Sequence, residues 1–206
     1  MNNAFDHKVV VVTGGTSGIG LATAKAFAQQ GASVFITGRR QQALDAAVRE
    51  IGGQVTGIQA DMSRLEDIDR LYDAVQRQAS HIDVVFANAG GGEFAPLGAI
   101  TEAHFDSAFN TNVKGVLFTV QKALPLMRDG GAVVLNSSTT SISGTPAFSV
   151  YSATKAAVRS FARNWMLDLK DRHIRVNAVS PGVTETAGLN ELFGSGNEAE
   201  APKSWL

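Results

Sequence analysis

The run KVVVVT, residues 8 to 13, carries four consecutive valines and stops at Gly14-Gly15. A strand with one wet face alternates apolar and polar residues, whereas an unbroken run of this kind suits a strand covered on both faces. Covering both faces takes helices above and below, and the chain supplies them. From Gly18, GIGLATAKAFAQQG repeats apolar residues at helical spacing (Ile19, Ala22, Ala26, Phe27) until Gly31 stops it. SVFIT reads as a second strand, and QQALDAAVREIGG as a helix with Leu44, Val48 and Ile51 on one face. QVTGIQA is a third strand, followed by RLEDIDRLYDAVQRQ, a helix with Leu65, Ile68, Leu71 and Val75 in register.

The alternation continues. IDVVFANAG is a fourth strand, a helical region covers about residues 101 to 128, and GGAVVLNSS is a fifth strand. SVYSATKAAVRSFARNWMLDLKDR reads as one long helix and IRVNAVSPG as a sixth strand. Regular strand-helix alternation predicts right-handed crossovers and a parallel sheet with helices on both faces. The expected fold is therefore α/β: a doubly wound, Rossmann-type sheet in three α/β/α layers. No linker or charge block divides the 206 residues, so a single domain over 1–206 is expected.

Composition removes several classes of function. The formal net charge is -1, and no stripe of Lys or Arg is present for phosphates to follow, which argues against nucleic acid as a partner. The chain has no cysteine, so disulfides, thiolate nucleophiles and Cys-bound metals are excluded. No other ligand pair has usable metal spacing. The start, MNNAFDHKVVVVTGG, has no signal-peptide core, and no apolar run is long enough for a bilayer, so a cytoplasmic protein without membrane association is expected. There is no G-x-S-x-G elbow, and His7, His81 and His173 precede strands, at the edge opposite a ligand crevice. His104 falls in or near a helix and reads as structural.

In such sheets ligands bind beyond the carboxyl ends of the strands. The first strand ends in TGGTSGIG, with Gly14, Gly18 and Gly20 placed for a tight turn, close approach of a pyrophosphate and a helix N-terminus aimed at its charge. The second ends in FITGRRQQ, with Arg39 and Arg40 where an acid would accept from the ribose 2′-hydroxyl of NAD. A guanidinium there suits the extra phosphate of NADP; the alternative is two solvated arginines at a helix start. The third strand ends at Asp61, which suits either a ligand or a helix N-cap. The fourth ends in Asn88-Ala89-Gly90, and the fifth in Ser137 and Ser138, residue types that also serve as turn formers. Thirteen residues past Ser138, Tyr151 and Lys155 share one helical face among small residues, as a surface pair or as two parts of a proton-handling site.

Taken in order, Gly14/Gly18/Gly20, Asn88-Ala89-Gly90, Ser138, Tyr151-x-x-x-Lys155 and Pro181-Gly182 resemble the classical short-chain dehydrogenase/reductase family, over about residues 7 to 188. The resemblance implies that Tyr151 is the acid/base, its pKa of about 10 lowered by Lys155 and by the nicotinamide charge. It implies that Lys155 also binds the nicotinamide ribose, that Ser138 orients the substrate oxygen, and that Asn112 holds a water relaying protons to Lys155. Thr16, Ser17 and Ile19 would line the phosphate turn, Asp61 and Met62 the adenine, and Asn88, Ala89 and Gly90 its ribose. Pro181-Gly182 would lead into Val183, Thr184 and Thr186 near the carboxamide. The family also implies a homodimer or homotetramer formed through the helices around 101–125 and 150–170.

Three departures accompany the match. Ala87-Asn88 replaces the family's double asparagine. The glycine turn carries Thr16-Ser17 and no basic residue, so a preference for NADP(H) rests on Arg39 with Arg40, and NAD(H) stays possible. Family members continue with a substrate-covering helix and a seventh strand; this chain ends at Leu206, so residues 187–206 are expected to be an irregular or truncated tail. The implied activity is hydride transfer between NADP(H) and a small ketone or secondary alcohol. The alternative is a nucleotide-binding module of the same fold whose turnover is impaired. Gly91-Gly92, Phe94, Ile142, Phe148 and Leu189 suggest an apolar substrate pocket or core positions.

Overall fold

The computed structural model describes residues 3–186, 188, 189 and 192. Six parallel strands form one sheet in the order β3-β2-β1-β4-β5-β6. They are β1 (Val9–Val12), β2 (Ser33–Gly38), β3 (Val55–Gln59), β4 (Ile82–Ala87), β5 (Met127–Asn136) and β6 (Arg175–Val179). The helices are α1 (Gly18–Gln29), α2 (Gln41–Ile51), α3 (Leu65–Gln78), α4 (Glu102–Phe109), α5 (Gly115–Ala123) and α6 (Ser149–Asp168). The doubly wound sheet expected from the alternation is present. The predicted irregular tail, 187–206, lies outside the described residues apart from Gly188, Leu189 and Leu192, and these three are helical rather than irregular.

The valine run accounts for both layers. Val9 and Val11 pack with Ile68, Leu71, Val120 and Val158 on one face, while Val10 and Val12 pack with Ala24, Leu44 and Ala47 on the other. Period-two side chains thus feed two cores from one strand. Complete burial of a valine contributes about 1.5–3 kcal/mol relative to exposure, so β1 anchors both helical layers. Strand order reverses between β1 and β4, and the ends of those two strands open into the crevice such a reversal creates.

Three boundaries differ from expectation. The helical region predicted over 101–128 is α4, a π turn at Asn110–Lys114, and α5, which ends at Ala123. Pro125 follows and lacks a donor N–H, so the helical hydrogen-bond ladder cannot run on although Leu124 keeps helical backbone. Arg172 donates to the Leu124 and Met127 carbonyls at 3.0 and 2.6 Å, which fastens the link between α5 and β5. The fifth strand then begins at Met127 rather than near Gly130, with a register shift opposite Ile82 and Val84. The long helix predicted over 149–172 yields at Asp168 to a 3₁₀ turn, Lys170–Arg172, and a left-handed His173.

Candidate active site

Two assemblies lie at the carboxyl edge of the sheet. The first is built from backbone. Gly14 and Gly18 have positive φ, +67° and +53°, which a side chain would strain. Gly20 fits for a different reason: a Cβ there would stand 2.1 Å from the Gly14 carbonyl oxygen. The turn is tied to its neighbours by Gly14 N–H donating to Thr37 Oγ1 (3.1 Å) and Gly15 N–H donating to the Thr37 carbonyl (2.9 Å). Ser17 at the start of α1 is extended, and no side chain caps that end. The first-turn N–H groups and the positive end of the helix dipole are thereby directed at the crevice.

This crevice encloses about 730 Å³ and is lined by Gly14, Thr16, Ser17, Gly18, Ile19, Gly20, Arg39, Arg40, Asp61, Met62, Asn88, Ala89, Gly90 and Thr186 among the sequence-predicted residues. Arg39 and Arg40 are exposed at its rim. A Cβ on Gly18 would approach Thr186 Cγ2 to 3.0 Å, so the segment after β6 reaches the glycine turn. Asn88 lines the crevice but its side chain braces the sheet. Its Nδ2 donates to the carbonyls of Thr13 (3.0 Å) and Gly14 (3.1 Å), and its Oδ1 accepts from Asn136 (2.9 Å).

Asp61 is not the N-cap of α3; Arg64 holds that position. Asp61 Oδ1 instead accepts from Ser63 N–H (2.9 Å) and Ser63 Oγ (2.7 Å), closing a local turn. The Asp61 N–H donates to Asp67 at 2.8 Å, and Asp67 pairs with Arg70 at 2.8 Å. Burial pushes the Asp67 carboxyl up, but the Asp61 N–H and the Arg70 guanidinium outweigh it and hold the group below its ordinary value. Thr37, Asp67 and Asn136 carried no motif in the sequence, because each acts through a partner far along the chain.

The second assembly is built from side chains and adjoins the crevice, whose wall continues through Gly91, Gly92, Phe94 and Asn136. It contains Ser138, Tyr151, Lys155 and Asn112. Ser137 Oγ donates to the Lys155 carbonyl at 2.9 Å, pinning α6 to the end of β5, so Ser137 is structural. Ser138, nearly buried, accepts from Thr140 N–H (3.2 Å) and Oγ1 (3.0 Å) and hydrogen-bonds the Tyr151 phenol. Lys155 is buried; its Nζ donates to the Asn136 carbonyl at 2.8 Å and lies 5.5 Å from the Tyr151 ring centroid. Thr139 N–H donates to the Pro181 carbonyl at 3.0 Å, which brings Gly182, Val183 and Thr184 beside this corner. Val183 is exposed, and Thr184 Oγ1 donates to the Gly182 carbonyl at 3.2 Å.

Asn112 occupies the π turn and is fully buried. Its Oδ1 accepts from Gly91 N–H (3.1 Å), and its Nδ2 donates to the Gly91 carbonyl (2.8 Å) and to Thr154 Oγ1 (3.0 Å). The extra residue in the turn aims this amide into the fold, a use typical of π turns. A Cβ on Gly90 would stand 2.9 Å from Asn112 Oδ1 and 3.3 Å from Lys155 Nζ, so bare backbone is required there.

Burial pushes the Tyr151 phenol above its ordinary value, with the Ser138 hydrogen bond acting in the opposite direction. Burial pulls Lys155 down to about 8. The downward shift of Tyr151 expected from Lys155 is therefore not what the protein's own groups supply. The ammonium is directed at the Asn136 carbonyl, and desolvation of the ring dominates.

The family described as short chain dehydrogenase matches residues 8–195. Oxidoreductase asL5 of Sarocladium schorii is 47% identical over 189 residues, covering 91% of this chain and 76% of that protein. Versicolorin reductase stcU of Emericella nidulans is 36% identical over 190 residues, covering 90% and 72%. Among solved structures, 3-ketoacyl-(acyl-carrier-protein) reductase from Brucella melitensis, complexed with NADH, superposes with a TM-score of 0.87 at 29% identity, covering 91% of this chain and 80% of that one.

Proposed function

Because the chain belongs to the classical short-chain dehydrogenase/reductase family, a family of oxidoreductases that bind a nicotinamide dinucleotide, we propose that it transfers a hydride between NADP(H) and a ketone or secondary alcohol. The observation that carries this reading is the convergence of Ser138 and Lys155 on the Tyr151 ring, beside a crevice entered by an uncapped helix N-terminus. The crevice fits a dinucleotide: its glycine turn presents bare backbone and the uncapped N-terminus of α1, which suit a pyrophosphate, and two guanidinium groups stand at its rim. A nicotinamide bound there supplies or accepts the hydride.

The chain's own groups do the rest. Tyr151 gives a proton to the carbonyl oxygen in reduction and takes it back in oxidation. Ser138 donates to the same oxygen and fixes its place. Lys155 holds positive charge behind the tyrosine and donates to hydroxyls that reach it. Asn112 keeps Gly91 and Thr154 together, so Gly90 stays against Lys155. Arg39, assisted by Arg40, favours the 2′-phosphate, with Asp61 and Met62 at the adenine and Ala89 and Gly90 along its ribose. Val183, Thr184 and Thr186 would hold the carboxamide. We read residues 8–186 as one cofactor-binding and catalytic unit. It self-associates through α4 and α6, where Phe105, Met166 and Leu167 are exposed.

The test is NADPH oxidation against a panel of carbonyl compounds, versicolorin included because a relative's name carries it. Turnover that disappears in Tyr151→Phe while NADPH binding persists is the expected result. Binding without turnover in the parent would favour a nucleotide-binding module instead.

A further inference from the structure

The ring of Tyr151 sits in a ladder of aromatic rings. Phe148 stacks on Tyr151 with centroids 4.5 Å apart and planes at 26°, and Phe94 packs on Phe148 at 4.6 Å and 32°. Phe148 is the residue preceding α6 and is buried, so it has no freedom to follow a substrate. The loop that carries Phe94 is fastened to the residue before Phe148: Ala95 N–H donates to the Ala147 carbonyl at 2.7 Å, and Ala147 has φ +57°. A left-handed alanine carries backbone strain that the surrounding contacts have to hold in place.

Gly92 belongs to the same device. A Cβ at 92 would stand 2.6 Å from Tyr151 Cδ2 and 2.9 Å from Phe148 Cζ, closer than real contacts allow. Neither ring can step aside easily. Tyr151 is tied to its helix turn by Thr154 Oγ1 donating to its carbonyl (2.7 Å), and α6 is pinned by Ser137. Gly91, next in chain, has both backbone groups engaged by Asn112. Asn112 therefore sets the height of Gly92, and Gly92 with Phe148 sets the place of the ring.

We infer that Phe148 and Gly92 are positioning residues for Tyr151, a stacked ring and a bare backbone that together fix the orientation of the phenol and keep water off its ring. The inference rests on Tyr151 as the acid/base, and its physical content can be measured without turnover. An aligned proton donor matters because a misplacement of about 1 Å can cost roughly 100-fold in rate.

The chain has two tyrosines, which makes a direct readout available. Tyr72 is buried and donates to the Thr119 carbonyl, and burial pushes its phenol far up. Tyrosinate absorbance in the folded protein thus reports Tyr151, with Tyr151→Phe as the blank. The titratable and charged groups on the surrounding elements are Lys155, Arg159, Arg163 and Asp168 on α6, Glu93 on the loop after β4, and Glu102, His104 and Asp106 on α4, and the substitutions leave them untouched. Phe148→Leu should move the Tyr151 midpoint down toward the ordinary value of about 10 and lower kcat at least about tenfold with NADPH Kd unchanged. Gly92→Ala should also lower kcat, and Phe148→Leu should cost less in the Gly92→Ala background than in the parent, because the new methyl then has room. A folded Phe148→Leu protein whose midpoint and kcat match the parent overturns the inference, as does strict additivity of the two substitutions. If circular dichroism shows that Phe148→Leu does not fold, Phe94→Ala decides by the same two readouts, with a smaller shift in the same direction expected. Full turnover in Tyr151→Phe would remove the acid/base reading while leaving the titration result standing, so the two failures are separable.

Discussion

The glycine turn and the tyrosine corner stand at the same edge of one sheet but are specified in different ways. At the turn, what matters is the absence of side chains: Gly20 abuts the Gly14 carbonyl, and Gly14 and Gly18 adopt left-handed backbone. At the corner, what matters is buried side chains that constrain one another: Asn112 on Gly91, Ser137 on Lys155, Phe148 on Tyr151. A site made of backbone tolerates few substitutions, and here its helix N-terminus favours an anion. A site made of interlocked side chains can be tuned one group at a time. The division of labour in the proposed function, cofactor at the first and proton handling at the second, follows this physical difference.

The sharpest way to separate the two regions is Tyr151→Phe. It deletes one hydroxyl from the corner and touches nothing at the turn, so turnover should fall about 10²- to 10⁴-fold while NADPH affinity stays within a factor of two or so. Kinetics and a fluorescence titration of NADPH on the same preparation check both halves. A matching loss of affinity would mean that the corner also carries cofactor binding.

Arg39→Asp approaches from the other side. It replaces a rim guanidinium by a charge that repels phosphate and can accept from a ribose hydroxyl, so the NADPH to NADH preference should shift by about 10- to 100-fold. Single-turnover rates at saturating cofactor should hardly change. A parent protein that already prefers NADH would remove Arg39 from the phosphate role.

These two predictions concern residues visible in the sequence, and the contrast between regions explains why. The glycine pattern is local: TGGTSGIG follows a strand and opens a helix, so Gly14, Gly18 and Gly20 could be placed from their neighbours, although Ala89 and Thr186, which crowd Gly14 and Gly18, could not. The sheet was equally legible, since a double-sided valine run has few other uses. Tyr151 and Lys155 were readable as a helical pair, and the family resemblance supplied their expected roles. What was hidden depends on long-range contact. Asp67 supports Asp61 across a loop, Thr37 reaches back to Gly14, and Phe148 matters only because α6 begins there. The upward push that burial gives the Tyr151 phenol was hidden for the same reason. Burial of a ring by Phe148 and Gly92 has no signature in residue order, while a nearby lysine does.

Asp67→Asn sharpens the comparison at smaller amplitude. Asparagine keeps an acceptor for the Asp61 N–H but loses the charge that pairs with Arg70. The loop after β3 should loosen, weakening NADPH binding roughly 3- to 10-fold, the range of an ordinary net hydrogen-bond contribution. The tyrosinate titration of Tyr151 should not move. A shift there would show that the two assemblies are mechanically coupled through the sheet edge.

Lys155 is where the two regions meet, beside Gly90 on one side and Tyr151 on the other, and its effect on stability should be the smallest of these. Its folded pKa, about 8, lies below the ordinary 10.5. Between those values the unfolded chain holds a proton that the folded chain has released. Stability therefore rises with pH across that window and is lowered by the buried ammonium below pH 8. Tyr151 and Tyr72 are shifted upward, so above pH 10 they hold protons that the unfolded chain releases, and they oppose the rise. The net expectation is a thermal midpoint that climbs from pH 8 to 10 and then turns over. In Lys155→Met the climb should vanish, because the titrating amine is gone and its desolvation with it. Melting curves of both proteins in matched buffers decide the point. Parallel profiles would mean that Lys155 keeps its proton through this range, held by the Asn136 carbonyl more strongly than burial opposes it.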